Sequence, residues 1–228
     1  MMIDHVLLAA AIDQTLLKPT VGYNEAAEWI ERSAEKGFAA LCVSPFLTAL
    51  ASRRLAGTKT RVCSVCGFPL GYNNTESKAA EAARLVQLGC HEVDMVMNIA
   101  ALLEGEHEFV SDDIAAVCTA VREESSGMSI VKVILETGYL TPEQIAVASK
   151  LAVDAGALYV KTSTGFGPRG ASVEDLRIMC EAVGSGIGVK AAGGIRDLDT
   201  ALAMLDAGAT RLGSSSGLEI LEALDARS

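Results

Sequence analysis

A lysine at the end of a short apolar segment is the first candidate for chemistry in this sequence. Residues 158–160 have the pattern of a buried strand, Lys161 follows them, and a Thr/Ser/Gly turn covers 162–165. Lysine is rarely buried without a partner, and burial lowers the pKa of its ammonium group. The free amine that results adds to carbonyl carbons. Lys161 is therefore either a nucleophile or a lysine that reaches solvent from the end of a strand.

Three further charged residues lie in apolar segments of the same kind. They are Asp94 in 92–96, Lys132 in 130–135 and Lys190 in 188–191. Side chains alternate between the two faces of a strand, so with the apolar residues on one face these three share the other face with Lys161. A single strand-end charge usually reaches solvent. Four on consecutive strands predict a common polar interior.

The chemistry that this group predicts is addition of an amine to an aldehyde. An ordinary lysine has a pKa of about 10.4, which leaves about one part in 2,500 as free amine at pH 7. Two ammonium groups held close together lower each other's pKa, so Lys161 and Lys190 are expected to supply a free amine. Asp94 is expected to move protons through a water molecule as general acid and base.

Glycine- and serine-rich loops follow the last three predicted strands, at 162–165, 192–196 and 213–216. Glycine lets backbone N–H groups approach an anion, serine adds hydroxyl donors, and a helix starting near Gly217 adds its dipole. A single loop of this kind could be only a tight turn with no ligand. Three on neighbouring strands predict a phosphate site, and loops after the last strands of a (β/α)8 barrel are its usual place.

The elements that position these residues alternate regularly between strands and helices. The predicted strands cover 12–17, 39–43, 61–65, 92–96, 130–135, 158–161, 188–191 and 210–212. The predicted helices cover about 4–11, 24–36, 45–55, 76–88, 106–124, 142–156, 172–183, 197–208 and 217–224. Several helices end at a glycine one to three residues before a strand, which is a common helix stop.

Eight β/α units in 228 residues predict an α/β fold, a single (β/α)8 TIM barrel with an extra N-terminal helix. We expect one domain over residues 1–228, because no Pro/Gly-rich linker divides the chain. The alternative is an open doubly wound sheet. No strand is followed by a GxGxxG or P-loop motif, which disfavours that alternative.

The composition limits which classes of partner and which cellular location are expected for this protein. The net charge of −10 argues against nucleic acid and anionic membranes. No apolar run is long enough to span a bilayer, and the first eleven residues lack the basic start and long apolar core of a signal peptide. Six cysteines lie mostly in apolar segments, which fits a reducing, cytoplasmic location.

Neither a metal nor another cofactor is predicted. Cys63 and Cys66 have CxxC spacing, but within a strand they point to opposite faces. The three histidines, His5, His91 and His107, show no ligand spacing and none ends a predicted strand. The amine route is therefore favoured over a zinc-dependent aldol route.

Six segments together resemble the deoxyribose-phosphate aldolase family. They are IDQTLLKP at 12–19, EVDMVMNI at 92–99, VKVILETG at 131–138, VKTSTGF at 160–166, VKAAGGIR at 189–196 and RLGSSSG at 211–217. The resemblance runs from Ile12 to the last helix. It implies reversible, metal-independent cleavage of 2-deoxy-D-ribose 5-phosphate to D-glyceraldehyde 3-phosphate and acetaldehyde.

The resemblance also implies roles for particular residues. Lys161 matches the Schiff-base lysine, Lys190 the second lysine that tunes it, and Asp94 the acid/base carboxylate. Cys42 and Lys132 match residues that line the pocket. The positions matching phosphate contacts are Gly165, Gly193, Gly194, Ser215 and Ser216. The implied partners are small phosphosugars and aldehydes, and barrels of this kind often form homodimers or higher homo-oligomers.

Two positions depart from the family pattern. Gln14 stands where many relatives have histidine, and Phe166 stands where some have a lysine close to the phosphate. We expect the loss of that lysine to weaken phosphate binding and to relax the preference for phosphorylated aldehydes.

Two other functions stay open from the sequence. Another lysine-dependent barrel enzyme, such as a transaldolase-like enzyme or a dehydratase, would share the phosphate loops, so substrate tests are needed to separate it from an aldolase. A non-catalytic phosphosugar-binding barrel would trap no aldehyde on Lys161.

Overall fold

The computed structural model describes residues 3–227. Eight parallel strands close into a barrel in chain order, and the first strand pairs with the last. The strands are β1 (Ile12–Leu16), β2 (Ala40–Val43), β3 (Arg61–Cys66), β4 (Glu92–Val96), β5 (Ile130–Ile134), β6 (Tyr159–Lys161), β7 (Gly188–Ala192) and β8 (Arg211–Ser214). The predicted closed barrel is confirmed and the open sheet is wrong.

Helices follow the strands around the outside of the barrel. They are α1 (His5–Ala9), α2 (Tyr23–Ala34), α3 (Thr48–Arg54), α4 (Thr75–Gln87), α5 (Ile99–Leu103), α6 (His107–Glu124), α7 (Pro142–Asp154), α8 (Val173–Val183), α9 (Leu198–Asp206) and α10 (Gly217–Asp225). Helix α1 precedes β1, as predicted. Among residues 3–227 no helix has the length and hydropathy needed to cross a membrane.

Side chains that cap the helix starts explain where several helices begin. Thr141 forms a capping box with Gln144, and Ser172 and Asp197 accept from amides of the first turns of α8 and α9. Asn74, not Thr75, caps α4, because its Oδ1 accepts from Ser77 N at 3.1 Å.

The sequence pattern missed helix α5. Its five residues are all apolar, so the segment has no polar face that would mark it as a surface helix. The segment predicted as one helix at 45–55 instead begins with a 3-10 turn at Pro45–Leu47 and continues as α3.

Strand β8 is longer than predicted and includes Gly213 and Ser214. Gly213 pairs with Asp13 of β1 and with Ala192 of β7. A Cβ at position 213 would lie 3.0 Å from Ala192 Cβ and 3.2 Å from Lys190 Cε. Glycine therefore leaves room where the closing strand passes the side chain of Lys190, and a larger residue would have to displace its neighbours by a few tenths of an ångström.

The barrel interior has two unlike walls. One wall is apolar and consists of Ala40, Cys42, Cys63 and Val65 from β2 and β3. The opposite wall, from β4 through β8 to β1, carries charged side chains. The main hydrophobic core lies outside the barrel, between the strands and the helices. The charges of the ionic wall must therefore be compensated by one another.

Candidate active site

The four charged residues predicted to share one face meet inside the barrel. Asp94 pairs in register with Lys132, and Lys161 pairs with Lys190. All four side chains are buried, and Lys161 retains 4% exposure at the upper end of the barrel. Strand alternation thus predicted their common direction correctly.

Asp94 is the centre of this group. Its Oδ2 accepts from Lys161 Nζ at 2.7 Å and from Lys190 Nζ at 2.8 Å, and its Oδ1 accepts from Lys132 Nζ at 2.8 Å. Burial raises the pKa of Asp94, but the three lysines together lower it further, to well below its ordinary range. Asp94 is therefore a carboxylate at neutral pH.

Three further charged groups extend the network below Asp94. Asp13 accepts from Lys190 and, at 2.6 Å, from Arg211, while Glu92 lies 2.6 Å from Lys132 Nζ. The Arg211 guanidinium also lies 5.5 Å from the ring centroid of Tyr159. Glu92 is on the face predicted to point inward, but Asp13 and Arg211 were missed. The feature that could have identified Asp13 and Arg211 is a charged residue within a short strand segment, as for Lys132.

The expectation that the neighbouring lysines lower each other's pKa is wrong for Lys190. Burial lowers the pKa of Lys190, but attraction to Asp13 and Asp94 raises it by more, so the net shift is upward. Burial likewise lowers the pKa of Lys132, and Asp13 and Asp94 reverse that effect. Both side chains are therefore cations at neutral pH.

The charges of the network come close to balancing. Three carboxylates (Asp13, Glu92 and Asp94) face four cations (Lys132, Lys161, Lys190 and Arg211) within the barrel. Of the four cations, Lys161 has a single carboxylate partner within residues 3–227. It is thus the cation that the network holds least strongly.

A cavity of about 180 Å³ opens above Lys161. Its walls include the three loops predicted to hold phosphate, and four of the five predicted phosphate-binding residues line it, namely Gly165, Gly193, Gly194 and Ser215. The fifth, Ser216, does not line the cavity. A larger cavity of about 480 Å³ lies around Arg61 and His91, at the starts of β3 and β4, at the opposite end of the strands from the three loops.

Backbone donors around the cavity above Lys161 are unused. The N–H groups of Gly165, Gly194 and Ser215 have no protein acceptor within the described part of the chain. In contrast, Ser216 N donates to Ser214 Oγ at 2.9 Å, and Gly217 N donates to Gln14 Oε1 at 2.9 Å. An anion in the cavity would therefore meet the three loop amides, because the N–H groups of Ser216 and Gly217 are already occupied.

The cysteines are all free, and two lie in the barrel interior. Cys42 and Cys63 pair in register on the apolar wall, and the Cys63 thiol contacts Asp94 Oδ1 at 3.2 Å. A hydrogen bond from Cys63 lowers the pKa of Cys42. Cys66 points away from the interior and donates to Lys78 O, so the CxxC residues do face opposite sides.

Within residues 3–227, two groups of side chains have the spacing of metal ligands. They are Cys42, Cys63 and Asp94, and Asp13, Cys63 and Glu92. Both groups lie among ammonium ions: Lys132 Nζ is 2.8 Å from Asp94 Oδ1, 2.6 Å from Glu92 Oε2 and 3.4 Å from Cys63 Sγ. Lys132 therefore already occupies the position that a bound cation would take.

The two residues that depart from the family pattern do not line the cavity, but each is next in sequence to a residue that does. Gln14 is buried in β1 and bonds the start of α10, as described above. Phe166 is 57% exposed, and its ring packs edge-on against Phe68 at 5.5 Å between centroids. It adds an apolar surface next to Gly165.

The fold and this site define a (β/α)8-barrel enzyme with a lysine–carboxylate centre. The sequence model of the DeoC/LacD family aldolases matches residues 3–223, so the chain belongs to that family. It is 47% identical over 215 residues to the deoxyribose-phosphate aldolase of Caldanaerobacter subterraneus subsp. tengcongensis, covering 94% of this chain and 92% of the relative.

Solved structures agree with this assignment. A protein described as QR15, an aldolase, has a TM-score of 0.90 at 41% identity, covering 99% of this chain and 98% of that one. Deoxyribose phosphate aldolase from Aeropyrum pernix, described as tetrameric, has a TM-score of 0.88 at 30% identity, covering 97% and 92%.

Proposed function

We propose that this protein is a deoxyribose-phosphate aldolase. It cleaves 2-deoxy-D-ribose 5-phosphate reversibly to D-glyceraldehyde 3-phosphate and acetaldehyde through a Schiff base on Lys161. The observation that carries the proposal is the position of Lys161, whose Nζ is 2.7 Å from Asp94 and whose side chain lines the cavity with the unused loop amides. One end of that cavity offers an amine for an aldehyde, and the other offers donors for a phosphate.

The first step is addition of the Lys161 amine to C1 of the open-chain sugar. The uncharged amine is the nucleophile, and Lys161 is the lysine of the network that has a single carboxylate partner within residues 3–227 and also lines the cavity. Asp94 lies within hydrogen-bonding reach, so it accepts the proton released on addition. It then returns a proton to the C1 hydroxyl, which leaves as water and gives the iminium ion.

Carbon–carbon cleavage follows from the iminium ion. The C2–C3 electron pair moves into the C1–C2 bond of an enamine, and the C3 hydroxyl loses its proton as it becomes the aldehyde of D-glyceraldehyde 3-phosphate. Protonation of the enamine at C2 and hydrolysis of the imine release acetaldehyde and restore Lys161. We assign these proton transfers to Asp94 through a water molecule, with Lys190 fixing the Asp94 carboxylate.

The remaining residues hold the substrate or the network. Gly165, Gly193, Gly194 and Ser215 bind the phosphate, and Ser216 acts indirectly by fixing the loop through Ser214. Lys132 keeps Asp94 ionised and pairs with Glu92, and Cys42 forms part of the apolar wall beside the reacting aldehyde.

We further propose one catalytic domain over the whole chain, located in the cytoplasm, where the six free thiols would stay reduced. Its partners are small phosphosugars and aldehydes. Self-association into a homodimer or a higher homo-oligomer is proposed by analogy with the relative described as tetrameric.

Borohydride reduction tests the central assignment. The protein is incubated with acetaldehyde or 2-deoxyribose 5-phosphate, reduced, digested and mapped by mass spectrometry. We expect a mass increment on the peptide containing Lys161, and cleavage of 2-deoxyribose 5-phosphate in a coupled assay for glyceraldehyde 3-phosphate. Absence of an adduct, or an adduct on Lys190 alone, would refute the assignment.

A further inference from the structure

Glu136 combines two unfavourable features just after β5. Its backbone is in the left-handed region, with φ 53° and ψ 60°, where residues other than glycine are uncommon. Its side chain is buried, with 2% exposure. Within residues 3–227 no lysine, arginine or histidine pairs with its carboxylate. Such a residue persists only where its surroundings compensate for it.

The compensation comes from one residue of the cavity wall, Thr164. Thr164 N lies 3.2 Å from Glu136 Oε2 and 3.3 Å from Oε1, and the Thr164 hydroxyl donates to Oε2. The carboxyl group also packs against the loop backbone, since a Cβ at Gly167 would lie 2.7 Å from Glu136 Cδ. Glu136 thus holds the loop after β6 directly.

These bonds decide which amide of the turn stays free. The Thr164 N–H donates to Glu136, and the Thr164 hydroxyl also accepts from Phe166 N at 3.0 Å. The amides on both sides of Gly165 are therefore occupied. Gly165, with φ +87°, is left with an unused N–H on the cavity wall.

The rest of the loop is fixed on both flanks. On the β5 side, Arg169 donates to Thr137 O at 3.0 Å and pairs with Asp175. On the β7 side, Ala171 N donates to Gly193 O at 3.1 Å. The turn 164–166 is consequently the part of the loop whose geometry depends on Glu136.

We propose that Glu136 is a positioning residue for the phosphate end of the substrate. It holds the Thr164–Phe166 turn so that the Gly165 N–H faces the anion, and it thereby sets the preference for phosphorylated over unphosphorylated substrates. Glu136 does not line the cavity, so it acts through Thr164. This inference rests on the proposed function.

Glu136→Gln is the primary variant. Glutamine keeps the size of the side chain but replaces one acceptor oxygen with an NH₂ group, which opposes the Thr164 donors. We expect the KM for 2-deoxyribose 5-phosphate and the inhibition constant of inorganic phosphate to rise about tenfold, while kcat changes less than about twofold. KM for 2-deoxyribose should stay within about twofold. Glu181→Gln, at an exposed position of α8, is the matched control.

Two further variants separate positioning from folding. Glu136→Gly adopts the left-handed backbone easily and so should fold, yet it lacks the carboxylate and should show the same phosphate-specific loss. Thr164→Val removes the hydroxyl but keeps the N–H bond to Glu136, so the loss of phosphate affinity in the double variant Glu136→Gln/Thr164→Val should be smaller than the sum of the two single losses. Additive losses in the double variant would contradict the coupling.

The outcomes distinguish this inference from the proposed function. Equal loss for phosphorylated and unphosphorylated substrates in folded variants, or no loss, overturns the role of Glu136. A wild-type protein that neither cleaves 2-deoxyribose 5-phosphate nor forms an adduct on Lys161 refutes the proposed function instead. In that case calorimetry with inorganic phosphate still decides on Glu136: weaker binding by Glu136→Gln supports its role, and unchanged binding overturns it.

Discussion

Lys161 and Asp94 are 67 residues apart in the sequence, and 2.7 Å separates Lys161 Nζ from Asp94 Oδ2. The same oxygen accepts a hydrogen bond from Lys190 Nζ at 2.8 Å. One carboxylate oxygen therefore contacts both the proposed nucleophile and a second lysine, which is a cation at neutral pH. Substitution of Lys161, Asp94 or Lys190 should therefore impair proton transfer more than it impairs folding.

Replacement of Lys190 by leucine should abolish turnover while the fold remains intact. The variant loses the cation that fixes Asp94, but Asp13 and Asp94 keep other cationic partners, including Lys132 and Arg211. We expect kcat for deoxyribose 5-phosphate cleavage to fall by about 10²–10⁴-fold. Lys150→Leu, at an exposed position of α7, is the control. Near-normal turnover in Lys190→Leu would contradict the tuning role.

Asp94→Asn should separate proton transfer from substrate binding. Asparagine fills the same space but cannot take up a proton, so kcat should fall by about 10²–10⁴-fold with little change in the inhibition constant of inorganic phosphate. Steady-state kinetics with phosphate as inhibitor measures both quantities. Asp112→Asn, exposed on α6, serves as control. Equal losses in kcat and phosphate binding would indicate collapse of the cavity.

Stability should depend on pH at both extremes. Burial alone would raise the pKa of Asp13, but Lys132, Lys190 and Arg211 lower it well below its ordinary value of 3.8. This stabilisation is complete above about pH 4 and is lost as the pH falls towards the folded-state pKa. The raised pKa values of Lys132 and Lys190 give the opposite pH dependence. The stabilisation that these two lysines contribute is complete below pH 10.5, their ordinary pKa, and is lost as the pH rises above it.

Melting temperatures between pH 2.5 and pH 11 test this expectation. We expect these groups to give a plateau from about pH 5 to about pH 9, with a decline on each side. Asp13→Asn should destabilise the protein by about 3–5 kcal/mol at neutral pH, because Lys132, Lys190 and Arg211 each lose one carboxylate partner and share only Asp94 and Glu92. It should also show a shallower acid decline. An acid decline identical to that of the wild type would rule out a contribution from Asp13.

Phe166→Lys should increase the preference for phosphorylated substrates. A lysine beside Gly165 adds a cation next to the loop amides, where the exposed Phe166 ring now packs on Phe68. We expect the ratio of kcat/KM for deoxyribose 5-phosphate to that for deoxyribose to rise about fivefold to tenfold. Phe166→Leu, which adds no charge, should leave the ratio nearly unchanged. Comparable ratios in the wild type and in Phe166→Lys would refute the effect.

A second buried ion pair, Lys78 and Asp113, should matter for stability. Lys78 Nζ is 2.6 Å from Asp113 Oδ2, and both side chains are almost fully buried between α4 and α6. Lys78→Met should cost about 3–5 kcal/mol in the free energy of unfolding, because it leaves Asp113 without its cation. Urea unfolding measures the loss. The double variant Lys78→Met/Asp113→Leu should recover most of it, and a double variant as unstable as the single one would contradict this reason.

The sequence alone determined the architecture and the direction of the central side chains. Alternation of strands and helices is a property of local segments, and capping residues such as Thr141 and Ser172 act within one helical turn. Strand alternation is equally local, so it placed Asp94, Lys132, Lys161 and Lys190 on one face without knowledge of the fold. Helix α5 was not predicted, because a short, entirely apolar helix shows no alternation between polar and apolar faces.

Only the tertiary structure decided the charge state and the finer geometry of the site. Closure of the barrel brings Asp13 of β1 against Lys190 of β7 and Arg211 of β8, and this attraction reverses the pKa shift that two neighbouring lysines would produce. The contact of Glu136 with Thr164, and the hydrogen bond from the Gly217 amide to Gln14, likewise join residues from different parts of the chain. Such contacts depend on distances of a few ångströms between residues far apart in the chain, and no local sequence pattern specifies those distances.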